Sequence, residues 1–532
     1  MAMSQFEASR VLIAAFTAGV SVHLAVFRVG EWDLWAVHIL LFFGAVYCLA
    51  VVGILLYPPE NTTTFFDSIK LVSMLSTLFG AGLFGSMLIY RGFFHRLCRF
   101  PGPLLARFSN LYPTFLSCKN LHLCDEVRAL HQQYGDIVRL GPSELSINNV
   151  EAVQKVHSIQ SACVKGPWYN VQSPRISLHM IRTLQDYEPR VVHYTKQLMD
   201  QFKASEGKPI DVADWFNFYS FDVMGDLAWG KSFHMLRDGV KHYFMKCLHA
   251  DMVNVGLFSH LLWLFPIFKA TPILNNEHKR FWNWVAAQVA ERKVTKPDRP
   301  DVFSWILEDH EKKQTTFQDE INLEGDAALI AVAGSDTTAA SLTCMFFELA
   351  VHNEYASILQ QELDNAFPPS AEPDAAGLRK LEFLNAVINE TLRLHPPVPS
   401  GVQRMTPPEG MTIGDSYIPG GTIVQIPSYT LSRDERYFDR PEEFLPERWT
   451  TKPELVKDER ASSPFSTGRY SCVGKQLGLM ELRQVTSEIM RWYNVALAPG
   501  QTPSAFLESK TDAFTLQLPP LKLVFSPRQE RQ

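Results

Sequence analysis

Apolar residues run almost unbroken through three stretches ahead of residue 91, at 11–27, 35–57 and 71–90, with only residues such as His23, His38 and Ser76 interrupting them. Each approaches the roughly 20 helical residues needed to cross a hydrocarbon core. One such stretch could be a buried core helix or the apolar part of a signal peptide. No basic start or small-residue cleavage site leads into the first, and three in succession favour a membrane anchor.

Arg91, His95, Arg96 and Arg99 follow the third stretch, and the positive-inside rule puts that end, and the bulk of the chain, in the cytosol. Three crossings then place the 58–70 loop in the lumen, where Asn61-Thr62-Thr63 is a glycosylation sequon. The alternative is one or two spans, with the rest lying in the interface. Pro101 and Pro103 bar helix continuation. The division expected is an anchor at 1–98 with up to three transmembrane helices, and a second domain at 99–532. From Leu121 onward the pattern is mostly helical, with strand signals at 136–140 and 422–426, so the expected class is mainly α with a minor β region. The apolar run 255–265 reads most simply as packing, with a membrane-dipped substrate entrance as the alternative.

With 532 residues, 46% of them hydrophobic, the chain can house one large helical domain or several smaller ones. A net charge of -6 gives no basic surplus, so no nucleic acid is expected as a partner. The eight cysteines are scattered without a CxxC pair, unlike a disulfide framework or zinc site, and read as reduced thiols.

Cys472 differs from the other seven. It lies between Gly468 and Gly474 and just ahead of a helical run at 475–492. Glycine permits tight turns, and a helix N-terminus aims N–H dipoles at a sulfur, which suits a thiolate ligand. Judged on the cysteine alone, a buried free thiol is an equal alternative.

The neighbouring residues bring in a family. The segment resembles the cytochrome P-450 haem-binding signature Phe-x-x-Gly-x-Arg-x-Cys-x-Gly, matched at Phe465, Gly468, Cys472 and Gly474. It departs at one position. Tyr470 stands where the family has an arginine that contacts a haem propionate, and Arg469 lies one residue early. Whether Arg469 keeps that role or the Tyr470 hydroxyl takes it stays open. The resemblance implies haem b with Cys472 as axial thiolate.

Glu390 and Arg393 lie three apart on one helix face. An exposed pair of this kind would contribute only about 0.5 kcal/mol. In this company they resemble the family's Glu-x-x-Arg motif, which implies a buried network of Glu390, Arg393 and Arg448 behind the cysteine loop. Arg404 resembles a second propionate contact. Ala333-Gly334-Ser335-Asp336-Thr337-Thr338 interrupts the apolar stretch 327–349. Alone it could be a simple helix kink. It is similar to the family's oxygen-activation motif, which implies that Asp336 and Thr337 relay protons to bound O2.

The resemblance spans about residues 99–526 and is closest to fungal membrane-bound members of secondary metabolism. It implies an NADPH- and O2-dependent monooxygenase at the endoplasmic reticulum. Electrons would come from a membrane-bound NADPH-cytochrome P-450 reductase, and the substrate would be an apolar small molecule. Its expected contacts are at 164–177, 251–268, 327–333, 398–402 and 511–516. One family element is missing. The helix bearing Trp-x-x-x-Arg, which binds a propionate, has no match before Tyr187; Trp168 is followed four residues on by Gln172. A deletion of about twenty residues is expected, since too few remain before Tyr187 for a helix and its connections. It makes a catalytically impaired haem protein one rival reading. A reductase-independent haem-thiolate isomerase or dehydratase is another, and the presence of both Asp336 and Thr337 argues against it.

Overall fold

The computed structural model describes residues 2–30, 32–58, 64–172, 187–295, 297, 300–312 and 315–528. Asn61 and most of the segment at 173–187, where the missing helix is sought, lie outside them. The described chain is mainly α-helical with small sheets, as the pattern predicts. It divides into two compact units.

The first unit takes in residues 1–114, 138–145 and 258–276. Its helices α1 (Ala2–Val22), α2 (Ala36–Leu56) and α3 (Phe65–Ile89) fall on the three apolar stretches. Thr64 and Asp67 form a reciprocal cap at the start of α3, which fixes where that helix begins. Leu40, Leu41, Phe42, Leu49 and Leu56 on α2 are exposed, an uncovered apolar surface that suits lipid rather than water. Where α1 meets α3, Gly19 and Gly82 allow the backbones to touch. A Cβ at Gly19 would lie 2.1 Å from the Phe79 carbonyl oxygen, and one at Gly82 2.1 Å from that of Phe16. His23 Nδ1 meets Ser86 Oγ at 2.8 Å across the same pair. The short helix Leu264–Ala270 packs on α2. Of the apolar run at 255–265, Leu261, Leu262 and Phe265 are buried and Trp263 is exposed.

The second unit takes in residues 115–137, 146–257 and 277–532. Its axis is a 35-residue central helix, Phe317–Val351, started by a Thr316–Asp319 capping box. This helix is apolar enough to cross a membrane, but two-thirds of its apolar window is buried inside the protein, which makes it core. The polar cluster at 333–338 does not interrupt it. Ser335, Thr337 and Ser341 each donate a hydroxyl to the carbonyl four residues back, so their polarity is satisfied within the helix. Gly334 lets Met224 of the helix Val212–Trp229 approach, since a Cβ there would meet Met224 Sδ at 2.4 Å.

Short antiparallel pairings also belong to this unit. Strand Lys522–Pro527 lies between Ile210–Asp211 and Tyr493–Leu497. Arg404–Met405 lies between Val164–Lys165 and Ile423–Gln425. The strand expected at 422–426 is therefore present at 423–425. The one expected at 136–140 is observed as Ile137–Gly141.

Candidate functional site

Cys472 ends a tight turn whose geometry depends on its neighbours. Its N–H donates to the Phe465 carbonyl at 2.8 Å, which closes the loop on itself. Gly468 has φ +70°, and a Cβ there would sit 2.2 Å from the His157 carbonyl oxygen. This glycine is required twice over, by conformation and by space. The helix Lys475–Trp492 then starts with its N-terminus directed at the sulfur. Withdrawal from water raises the Cys472 thiol above its ordinary pKa. The N–H groups of Gly474 and Lys475, and the Lys475 charge, pull it back toward thiolate. The side chain is exposed although ringed by protein.

The buried carboxylate network is fully formed. Glu390 accepts from Arg393 Nε and Nη2, each at 2.9 Å, and from Arg448 Nε at 2.9 Å. It also accepts from Trp449 Nε1 at 2.9 Å and the Leu445 N–H at 3.0 Å. The side chains of Glu390, Arg393 and Arg448 are 0% exposed. The remaining guanidinium donors reach carbonyls of Ser432, Pro441 and Glu443 from Arg393, and of Asp439, Arg440 and Leu455 from Arg448. Two buried cations thereby pin the irregular segment 432–455 to the helix Glu382–Leu394. Trp449 and Leu445 belong to the network although the motif names neither.

On the central helix, the Thr337 hydroxyl is exposed and bonds to the Ala333 carbonyl at 2.7 Å. Asp336 is adjacent in sequence but its side chain turns elsewhere. Its Oδ1 lies 3.1 Å from His249 Nε2 on the helix Tyr243–Leu257, and its buried Oδ2 has no hydrogen-bond partner. The structure thus pairs Asp336 with His249 and not with Thr337. No sequence motif marks His249, because the pairing joins residues 87 positions apart. Thr338 faces the opposite way and donates to Glu481 at 3.3 Å.

Arg404 is buried, with its guanidinium over the Tyr470 ring at 4.9 Å. It donates to Tyr169 Oη at 3.2 Å, while its Nε is buried without a partner. Arg469 is exposed and takes no part in this cluster. The residue in the arginine position of the signature, Tyr470, is the one that meets Arg404. The donor set fits a haem: an accessible thiol with two backbone N–H groups aimed at it, and the buried Arg404 guanidinium, with an unsatisfied N–H, over the ring of Tyr470 two residues before that thiol.

A profile described as cytochrome P-450 matches residues 170–525. The chain belongs to the cytochrome P-450 family. A cytochrome P-450 monooxygenase from Fusarium pseudograminearum is 50% identical over 542 aligned positions, covering 96% of this chain and 97% of that protein. One from Penicillium fellutanum is 41% identical, with 97% and 95% covered. Tryprostatin B 6-hydroxylase of Aspergillus fumigatus is 35% identical, with 97% and 96% covered. This P-450 is accordingly a monooxygenase of the fungal type, and its family carries haem whose iron is held by a cysteine thiolate.

Proposed function

We propose that this P-450 oxidises an apolar small molecule, typically by hydroxylation, in fungal secondary metabolism, using O2 and electrons passed from NADPH by a separate reductase. The single observation that carries the reading is the Cys472 loop, closed on Phe465 and presenting a sulfur to two backbone N–H groups. When bound there, haem supplies the iron at which O2 is activated for insertion of one oxygen atom into substrate.

The protein's own residues have separable tasks in this reading. Cys472 would hold the haem iron through its sulfur, and Phe465, Gly468 and Gly474 shape its loop. Arg404, steadied by the Tyr470 ring, would hold the carboxylate side of the cofactor. Glu390, Arg393 and Arg448 keep the segment before the loop from shifting. Thr337 presents a hydroxyl at the exposed face of the central helix, where it can position a proton for bound oxygen. Asp336, with one oxygen on His249 and the other unpartnered, takes up protons from His249 and passes them on by swinging its free oxygen toward Thr337. An anchor over 1–98 holds the 99–532 domain on the cytosolic face of the endoplasmic reticulum, with Asn61 on the lumenal side.

A second reading, a haem-impaired member of the family, draws on one observation. The Fusarium relative aligns over 542 positions, more than the 532 residues of this chain, so it carries residues this chain lacks. The sequence also offers no Trp-x-x-x-Arg ahead of Tyr187. Expression in yeast microsomes and the reduced carbon monoxide difference spectrum separate the two. A red-shifted thiolate Soret band, lost in Cys472→Ala, supports the monooxygenase. Well-expressed protein without that band is the impaired member. Product formation that needs neither NADPH nor reductase would instead identify an isomerase.

A further inference from the structure

The strand ladder places two cations directly opposite each other. Val164–Lys165 pairs antiparallel with Arg404–Met405 in the register that makes Lys165 the partner of Arg404. Like charges at such a position repel across about 5 Å and destabilise the pairing. Both are also held over the same two rings. Lys165 Nζ lies 5.0 Å from the Tyr169 centroid and 5.8 Å from that of Tyr470; the Arg404 guanidinium carbon lies 5.9 Å and 4.9 Å from them. Ring faces attract cations but do not neutralise them.

Neither cation has an ion-pair partner among the described residues. The Lys165 ammonium is pushed below its ordinary pKa, first by loss of water and then by Arg404, and Asp326 offsets this only in part. His157, which shares the surroundings of Arg404, is driven down to about 3 by burial and that same guanidinium. Its buried Nδ1 has no partner either. Two neighbouring cations, one with an unsatisfied N–H and neither with an ion-pairing carboxylate among the described residues, are built for an anion. Tyr470, two residues before Cys472, ties the cluster to the ligand loop. Gly468 packs that loop on the His157 carbonyl.

We propose that Lys165 is the second cation of a carboxylate clamp, formed with Arg404 between the rings of Tyr169 and Tyr470, that grips a propionate of the haem held by Cys472. The inference rests on the haem reading of Cys472. In this chain Lys165 supplies the charge that neither the displaced Arg469 nor a Trp-x-x-x-Arg helix brings.

The test uses the full chain in microsomes, as wild type and as Lys165→Met, Lys165→Arg and Arg469→Ala. The readout is the rate at which haem passes to excess apomyoglobin, with the carbon monoxide spectrum recorded first. Lys165→Met is expected to lose haem about tenfold faster, the effect of one charge-assisted hydrogen bond. Lys165→Arg is expected to restore the rate, and Arg469→Ala to leave it unchanged. Reconstitution with haem dimethyl ester, whose carboxylates are neutral, is expected to abolish the difference between wild type and Lys165→Met. A thiolate band in both chains with equal rates of haem loss would overturn the clamp alone. A difference that persists with the ester would also overturn it, because Lys165 would then be acting through packing. If haem loss is unchanged but Lys165→Met weakens the spectral shift caused by a long-chain fatty acid, the cluster serves a substrate carboxylate and the propionate clamp is overturned. A wild-type chain without the thiolate band overturns the haem reading itself, and the clamp with it.

Discussion

Asp336 has two oxygens in different situations, one engaged by His249 and one buried with no partner. A buried carboxylate oxygen left bare costs free energy, and it persists where the group must exchange partners. His249 sits at the margin of the outward face of its helix, beside Lys246 and Ala250, and is partly exposed. Asp336→Asn and His249→Ala should each lower product formed per NADPH consumed by about tenfold or more, the usual scale of general acid–base catalysis. The thiolate carbon monoxide spectrum should stay unchanged. Equal coupling in all three proteins would remove His249 from the proton path.

Glu481 sits on the other side of the central helix. Its carboxyl is fully buried, and burial pushes it up to about 8, with only the hydrogen bond from Thr338 opposing. Between about pH 4.5 and 8 the folded chain keeps a proton there that the unfolded chain releases, so stability falls as pH rises through that window. Glu481→Gln holds a neutral group throughout. Its thermal midpoint should therefore decline less than that of the wild type between about pH 5 and 8, and parallel declines would place the pH sensitivity elsewhere. Sequence spacing exposed Cys472, Glu390 and Thr337, which local motifs carry. It was silent on His249, Glu481 and Lys165, whose roles arise only where distant segments meet.

At the level of elements, the Glu390 network connects a helix to a segment with little regular structure. Arg448→Ala would strip one cation from a carboxylate with no access to water, a change that costs roughly 3–5 kcal/mol. Urea denaturation should show it as a lower midpoint, with haem loss preceding the helical transition. Gly468→Ala meets both a positive φ and the His157 carbonyl, and should abolish stable haem incorporation while leaving the far-ultraviolet helical signal in place. The helix predicted at 475–492 appears over Lys475–Trp492 because Gly474 ends the loop and apolar residues recur at helical spacing. Strands such as Val164–Lys165 and Arg404–Met405 are two residues long. No alternation can be seen in two residues, and only the ladder between them defines them. The cluster at 333–338 looked like an interruption because composition does not show that its hydroxyls turn back onto the helix backbone.

For the whole molecule, the first unit gathers segments from three parts of the sequence. Leu264–Ala270, far along the sequence, packs on α2. Removing residues 2–90 would uncover this apolar segment. The truncated chain is expected to stay associated with membranes but to be released by alkaline carbonate, whereas the full chain resists it. Release of both alike would argue against the spanning helices. The three helices were legible because a helix apolar on every face leaves an unbroken apolar run in the sequence. The inclusion of 138–145 and 258–276 in the same compact unit was not legible, since such packing depends on surfaces that form only once the chain has folded.

The glycine contact between α1 and α3 makes the two helices one mechanical piece. The helical segment Phe65–Phe94 has 30 residues, about 45 Å at roughly 1.5 Å per residue, so in a bilayer with about 30 Å of hydrocarbon its polar ends at Asp67, Lys70 and Arg91 would reach past the lipid tails. With Gly19 and Gly82 leaving no gap between the backbones, any tilt of that helix would be shared by α1.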